Sequence, residues 1–284
     1  KHVMVEKPLG ITMRAAKTII NTAKKEGKVL AVAENYRRTP ENRAAKWCID
    51  QGMIGEPRMI YLGIAGWSMG HGGWREDKLM SGGSWFFDGM VHYADLHRYF
   101  LNREAKKVYA MTRIFEPIKG SKKVSVDDAA MALIEFEDGI MDEWWWSRVA
   151  HGENLTWQIV CGSKASIDVF NKYWIRRVEE DSPPDWQKTN LWTLERKMLE
   201  QLPPERRERM FPAGIRDSVA SEENDFILSI LNNEKPEVDG IEAYKDMAIP
   251  LAGYESSVLG KPIRVKDVEE LRIEEYQGDE NLNL

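Results

Sequence analysis

The first 33 residues constrain the fold more than any other stretch of the chain. His2–Glu6 reads as a short buried strand, ended by Lys7-Pro8-Leu9-Gly10. Thr12 offers an N-cap, and Ala15, Ala16, Ile19, Ile20 and Ala23 then recur at helical spacing through about Lys25. Gly27 stops that helix, and Val29–Ala33 is a second apolar run of the kind buried in parallel sheets. Strand, helix and strand of these lengths predict a βαβ unit, the end of a doubly wound α/β sheet. Ligands of such sheets bind at the carboxyl ends of the strands. Lys7 stands at one such end, and Glu34-Asn35-Tyr36-Arg37-Arg38 is the loop at the other.

A further helix is expected from Pro40 or Glu41 through Gln51, after which the texture changes to alternation and hairpins. Arg58–Ala65 and Lys106–Phe115 read as strands, separated by a Gly-rich loop, Gly66–Gly83, and a helix over Phe87–Phe100. Asp138-Gly139 between Ala129–Glu137 and Ile140–Arg148 is a strong hairpin turn. Leu155–Cys161 and Ala165–Phe170 flank Gly162-Ser163-Lys164 as a second hairpin. Asp181–Arg209, charged and Pro-containing, reads as an irregular insertion or a mobile segment. Val219–Leu231 and Ile241–Leu259 read as late helices and Pro262–Val265 as a last short strand. The predicted fold class is α/β followed by α+β. Residues 1–56 form the carboxyl-terminal part of a dinucleotide-type sheet, and residues 57–284 a large, mostly antiparallel domain onto which helix 241–259 packs back toward the first.

Composition narrows the function. A net charge of −6 with no basic stripe disfavours a nucleic-acid or anionic-membrane surface. No run approaches the ~18 apolar residues that span a bilayer. Cys48 and Cys161 make no disulfide framework and have no zinc spacing, which fits a reducing, cytoplasmic setting. His71 and His92 are the nearest metal candidates and lack ligand spacing, so no metal is expected. Eleven Trp is high for 284 residues. In Trp144-Trp145-Trp146, a strand sends Trp145 to the face opposite its neighbours, against a core or a subunit interface. His151, Asn154 and Trp157 follow and can reach hydroxyls.

The sharpest chemical signal is Gly82–Phe100. Asp88 and His92 stand i,i+4 and leave one helix face a turn apart, an arrangement proton transfer can use. Taken singly, Asp88 reads as a helix N-cap and His92 as a hydrogen-bonded structural histidine. Asp95 either holds the imidazole tautomer or pairs with His97 or Arg98. Lys7 alone reads as a solvated strand-end lysine, its backbone drawn to extended geometry by Pro8. Tyr36 and Arg37, at the neighbouring strand edge, are candidates to line the same cleft and bind substrate.

In order along the chain, Glu6-Lys7-Pro8, Trp74-Arg75, and Gly82-Gly83…Asp88-Gly89…His92…Asp95 resemble the Gfo/Idh/MocA family of NAD(P)-dependent sugar and inositol oxidoreductases. Ala252-Gly253-Tyr254-Glu255-Ser256-Ser257 with Gly260-Lys261-Pro262 looks like that family's closing helix and strand. The resemblance implies hydride transfer between NAD or NADP and a hydroxyl-bearing carbon of a sugar or cyclitol. It makes Lys7, Asp88 and His92 catalytic and substrate-binding, with Glu6 orienting Lys7 and Pro8 shaping the turn. Glu6, Lys7, Pro8, Trp74 and Arg75 would touch the cofactor. It also implies that most of the Rossmann domain, with its GxGxxG loop, precedes Lys1, since Gly70, Gly72 and Gly73 follow no βα turn. A homodimer or homotetramer through the antiparallel sheet is implied too. Two other readings compete. One is a redox-neutral lyase or glycosidase using bound NAD transiently at the same site, and the other a non-catalytic binding or assembly subunit.

Overall fold

The computed structural model describes residues 1–68, 72–119, 122–177 and 186–281. His71, and residues 181–185 of the expected insertion, lie outside the described residues.

The βαβ unit forms as expected. Strand β1 (Val3–Glu6) leads into helix α1 (Met13–Lys25), whose N-cap Thr12 accepts from the Ala15 N–H, and strand β2 (Leu30–Ala33) pairs parallel with β1. One expectation fails: β2 is buried throughout, but β1 is only half-buried, with Val3 46% exposed. Among the described residues β2 is the only strand paired with β1, which leaves its other edge uncovered. A tight turn at Tyr36–Arg38 then enters α2 (Pro40–Asp50), where Thr39 caps and Pro40 sits in the first turn.

Strand β3 (Pro57–Ala65) opens the large domain. The turn Gly73–Glu76 and the short helices α3 (Lys78–Ser81) and α4 (Trp85–Asp88) lead into α5 (Met90–Leu101). The helix expected over 87–100 is thus interrupted at Gly89. There the Trp85 indole lies close against the backbone, and a Cβ on Gly89 would stand 2.0 Å from that ring. Next come β4 (Ala105–Arg113), the small hairpin β5 (Ile118–Lys119) and β6 (Lys122–Lys123), then β7 (Ala129–Phe136) and β8 (Met141–Ser147). Asp138 and Gly139, both at positive φ, turn β7 into β8.

Strands β9 (Leu155–Gly162) and β10 (Ser166–Asp168) form the second expected hairpin, followed by β11 (Tyr173–Arg177). The irregular reading of 181–209 is wrong where the chain is described. Strand β12 (Trp186–Asn190) pairs with β11, and α6 (Leu191–Gln201) and α7 (Pro204–Met210) follow. Helices α8 (Ser218–Leu231) and α9 (Gly240–Leu259) and strand β13 (Ile263–Arg264) complete the sheet domain, ahead of the short helices α10 (Val265–Glu269) and α11 (Gly278–Asn281).

The sheet runs β12-β11-β10-β9-β3-β8-β7-β4-β13, antiparallel except for β3 beside β8. Helices α5 and α9 cover one face, and α9 also meets α1 and β2. Trp144 and Trp146 are buried on that face, while Trp145 points the other way, 5.1 Å from Trp157. The opposite face leaves Tyr109, Met111, Met131, Leu133 and Met141 exposed. No helix among the described residues is long and apolar enough to cross a membrane.

Candidate active site

The parallel pairing fixes the site's starting point. Glu6 and Ala33 are the last paired residues of β1 and β2. One residue further on, at the same carboxyl edge, stand Lys7 and Glu34. Helices α4 and α5 bring Asp88 and His92 against that edge from the large domain.

Lys7 Nζ donates to Asp88 Oδ1 at 3.0 Å and to the Asp88 carbonyl at 2.7 Å. These two side chains are 14% and 20% exposed, so the pair is screened little by water yet open to a ligand. The other carboxylate oxygen of Asp88 lies 3.6 Å from Arg75 Nε, and the Arg75 guanidinium sits 4.3 Å from the Trp74 ring centre. Lys7, Asp88 and Arg75 therefore form one charged row. Asp88 is not an N-cap, because Ser84 caps α4. Glu6 does not orient Lys7. It faces solvent, and Asp88 holds the lysine instead. The peptide bond between Lys7 and Pro8 is cis.

His92 meets a partner that the sequence reading did not single out. Its Nδ1 lies 2.8 Å and 2.7 Å from the two oxygens of Glu34. The Tyr36 ring stacks on the imidazole at 3.9 Å and 3°, while the Tyr36 N–H donates to Glu34 Oε1. Tyr36 thus packs directly against the His92–Glu34 pair. Burial raises the Glu34 carboxyl well above the usual carboxylate range, and the nearby Asp95 charge raises it further. Burial and the Lys7 ammonium push the His92 imidazole down to about 3. Both shifts favour the uncharged forms of the buried pair. Because Nδ1 is engaged by Glu34, Nε2 is the nitrogen left for a substrate. The available signal was positional: an acid one residue past β2, beside a lysine one residue past β1.

Arg37 does not reach the cleft. Its side chain turns inward, where Nε donates to Asp95 Oδ2 at 2.8 Å and a terminal nitrogen meets Asp95 Oδ1. Asp95 therefore pairs with neither of its expected partners, and it holds Arg37 rather than the His92 tautomer. His97 instead binds Asp142, with Nδ1 at 2.6 Å from Oδ2. Among the described residues no cluster of His, Cys, Asp and Glu could hold a metal.

A parallel βαβ edge facing an open antiparallel sheet, with Lys7, Asp88, Glu34 and His92 between them, defines a two-part α/β and α+β architecture with its polar site at the junction. Residues 42–168 match the GFO/IDH/MocA C-terminal domain. The chain is 31% identical over 142 residues to 1,5-anhydro-D-fructose reductase of Ensifer adhaerens, covering 50% of this chain and 41% of that protein. It is 32% identical over 197 residues to levoglucosan dehydrogenase of Pseudarthrobacter phenanthrenivorans, covering 60% and 49%. The chain thus spans less than half the length of these two relatives. Levoglucosan dehydrogenase in complex with NADH and levoglucosan shares the fold, with a TM-score of 0.74 at 25% identity over 93% of this chain and 74% of that one.

Proposed function

We propose that this chain carries the substrate side of a Gfo/Idh/MocA oxidoreductase, which moves a hydride between NAD or NADP and a hydroxyl-bearing carbon of a sugar or cyclitol. The observation that carries this reading is the convergence of Lys7, Asp88 and His92–Glu34 at the carboxyl edge of a parallel strand pair. The names of the relatives, a sugar reductase and a sugar dehydrogenase, support the substrate class.

The residues present fit the nicotinamide end of such a cofactor. Lys7 and Pro8 end β1, and the exposed Trp74 and Arg75 stand beside Asp88. When bound, the nicotinamide supplies or accepts the hydride. The protein's part is the proton. In oxidation, His92 Nε2 takes the proton of the substrate hydroxyl, and the Glu34 carboxylate faces the imidazolium so formed. Lys7 donates to the same oxygen and stabilises its developing charge, while Asp88 holds the ammonium in place. In reduction His92 returns the proton. The test is a spectrophotometric assay of NAD+ or NADP+ reduction over a panel of sugars and cyclitols. Lys7→Ala should lower turnover by about 10²–10³-fold. Turnover near that of the wild type would sink the assignment of Lys7.

A second expectation concerns pH. Oxidation needs Nε2 free, so it needs the Glu34–His92 pair to have lost its second proton. Burial and Asp95 keep that proton on to a pH well above the usual carboxylate range. Glu34→Gln removes the acid and leaves an imidazole already pushed down to about 3 by burial and Lys7. The acid limb of the kcat/KM profile should therefore move to lower pH, while kcat falls roughly 10-fold or more. An acid limb that stays in place would separate Glu34 from the proton transfer.

The exposed sheet face supports a homo-oligomer, because Tyr109, Met111, Met131, Leu133 and Met141 make one apolar patch. Light scattering should report a dimer or tetramer, and Leu133→Asp should shift it toward monomer.

A further inference from the structure

Asp127 is a buried carboxylate with no part in the proton transfer, yet it is tied to the residue that begins the turn carrying Asp88. Its Oδ2 accepts from Ser84 Oγ at 2.7 Å, and its Oδ1 accepts from the Tyr254 hydroxyl of α9 at 2.7 Å. Tyr254 Oη accepts in turn from the Ser84 N–H at 3.0 Å. Ser84, Tyr254 and Asp127 thus close a hydrogen-bonded ring inside the protein. Burial lifts the Asp127 carboxyl to about 6, with the Tyr254 and Ser84 hydrogen bonds acting against that rise. Above that pH both of its oxygens are free to accept.

Ser84 passes this constraint to Asp88. Helix α4 is one turn long, Trp85–Asp88, and Ser84 is its N-cap. Ser84 Oγ accepts from the Phe86 N–H at 2.9 Å, and the Ser84 carbonyl accepts from the Asp88 N–H at 3.0 Å. Phe86 and Phe87 are fully buried and anchor the turn, but apolar contact is non-directional and does not by itself fix a tilt. The stretch around Asp127 is itself held firmly. Neighbouring Asp128 accepts from the Phe115 and Glu116 N–H groups at 2.9 Å and 2.8 Å, and the Ser125 N–H donates to the Glu76 carbonyl at 3.0 Å. Glu76 directly follows Arg75, so residues 125–128 brace both the turn that carries Arg75 and the turn that carries Asp88.

We propose, resting on the roles given to Lys7 and Asp88 above, that Asp127 is a positioning residue. Through Ser84 it sets where Asp88 stands between Lys7 and Arg75. It touches neither substrate nor cofactor. An error of about 1 Å in placement can cost on the order of 10²-fold in rate, so a residue outside the site can weigh as much as one within it. The Ser84 and Tyr254 hydroxyls both aim their hydrogens at Asp127, and their oxygens are already engaged by the Phe86 and Ser84 N–H groups. An amide, with one accepting and one donating end, cannot serve both.

The experiment is a kinetic double-mutant cycle on the whole protein, with NAD+ or NADP+ and the best sugar or cyclitol of the panel. Asp127→Asn should lower kcat by about 10–100-fold and change KM much less. In an Asp88→Asn background the same change should lower kcat by less than about 3-fold further, because the group it positions is gone. Equal losses in both backgrounds would mark Asp127 as a general stabiliser and overturn the proposal. So would a single variant whose kcat stays within about 3-fold of the wild type. Crystal structures of the wild type and of Asp127→Asn read the placement without any activity. In the variant the contact from Lys7 Nζ to Asp88 Oδ1 should open beyond about 3.5 Å, and its retention at the wild-type length would overturn the proposal. Should Asp127→Asn fail to fold, Tyr254→Phe, which removes one hydroxyl from the ring, goes through the same cycle and the same crystallography with the same criteria. A wild type inactive on the whole panel would sink the proposed function alone, and the two crystal structures would still decide what places Asp88.

Discussion

His92→Ala should lower turnover by about 10²–10⁴-fold, the range lost when a general acid–base is removed. The size of the effect follows from the surroundings of His92. Its Nδ1 is committed to Glu34 at 2.7–2.8 Å, and Tyr36 stacks on its face, so the ring has one position and one free nitrogen. Asp88 cannot take over, because Lys7 holds one of its oxygens and Arg75 stands by the other. Lys7 is a donor when charged and cannot accept the proton. The loss should fall on kcat more than on KM, since the substrate contacts proposed for Lys7 and Asp88 remain. A stopped-flow measurement of nicotinamide absorbance would isolate the step. A rate within 3-fold of the wild type would move the base elsewhere, with Glu34 the next group in reach.

The sequence was legible where a single element carries its own period. Helix α1 and its cap, β2, the hairpin at Asp138-Gly139 and the alternation of Trp144 to Trp146 all came from local spacing. Lys7 and Asp88 with His92 were also visible, one at a strand end and two at helical spacing. What could not be read was pairing across long separations. Glu34 meets His92 across 58 residues, and so does Arg37 meet Asp95. An arginine in a loop looks the same in sequence whether it turns to solvent or inward. Residues 181–209 failed for another reason. Their charge density hid the spacing of Leu191, Leu194 and Met198, which α6 buries on one face. Strand β1 misled because an apolar run says nothing of how many neighbours cover it.

The Arg37–Asp95 pair also makes the largest stability prediction. Asp95 is fully buried and Arg37 is 7% exposed, so each charge depends on the other. Asp95→Ala leaves a guanidinium buried without its carboxylate and should cost about 3–5 kcal/mol. In urea the midpoint should fall by on the order of 1–2 M. Removing both charges behaves differently. Arg37→Met with Asp95→Leu replaces the pair by apolar volume and should recover most of the loss. If Asp95→Ala costs less than about 1 kcal/mol, the pair contributes no more than a surface ion pair. The same variant reaches the active site, because the Asp95 charge helps to raise the Glu34 carboxyl. Without it the Glu34–His92 pair releases its proton at lower pH. The acid limb for oxidation should move in the same direction as in Glu34→Gln, but with the carboxylate still in place to face the imidazolium. A variant that loses stability and keeps its pH profile would show that the interior pair and the proton-transfer pair are neighbours without being coupled.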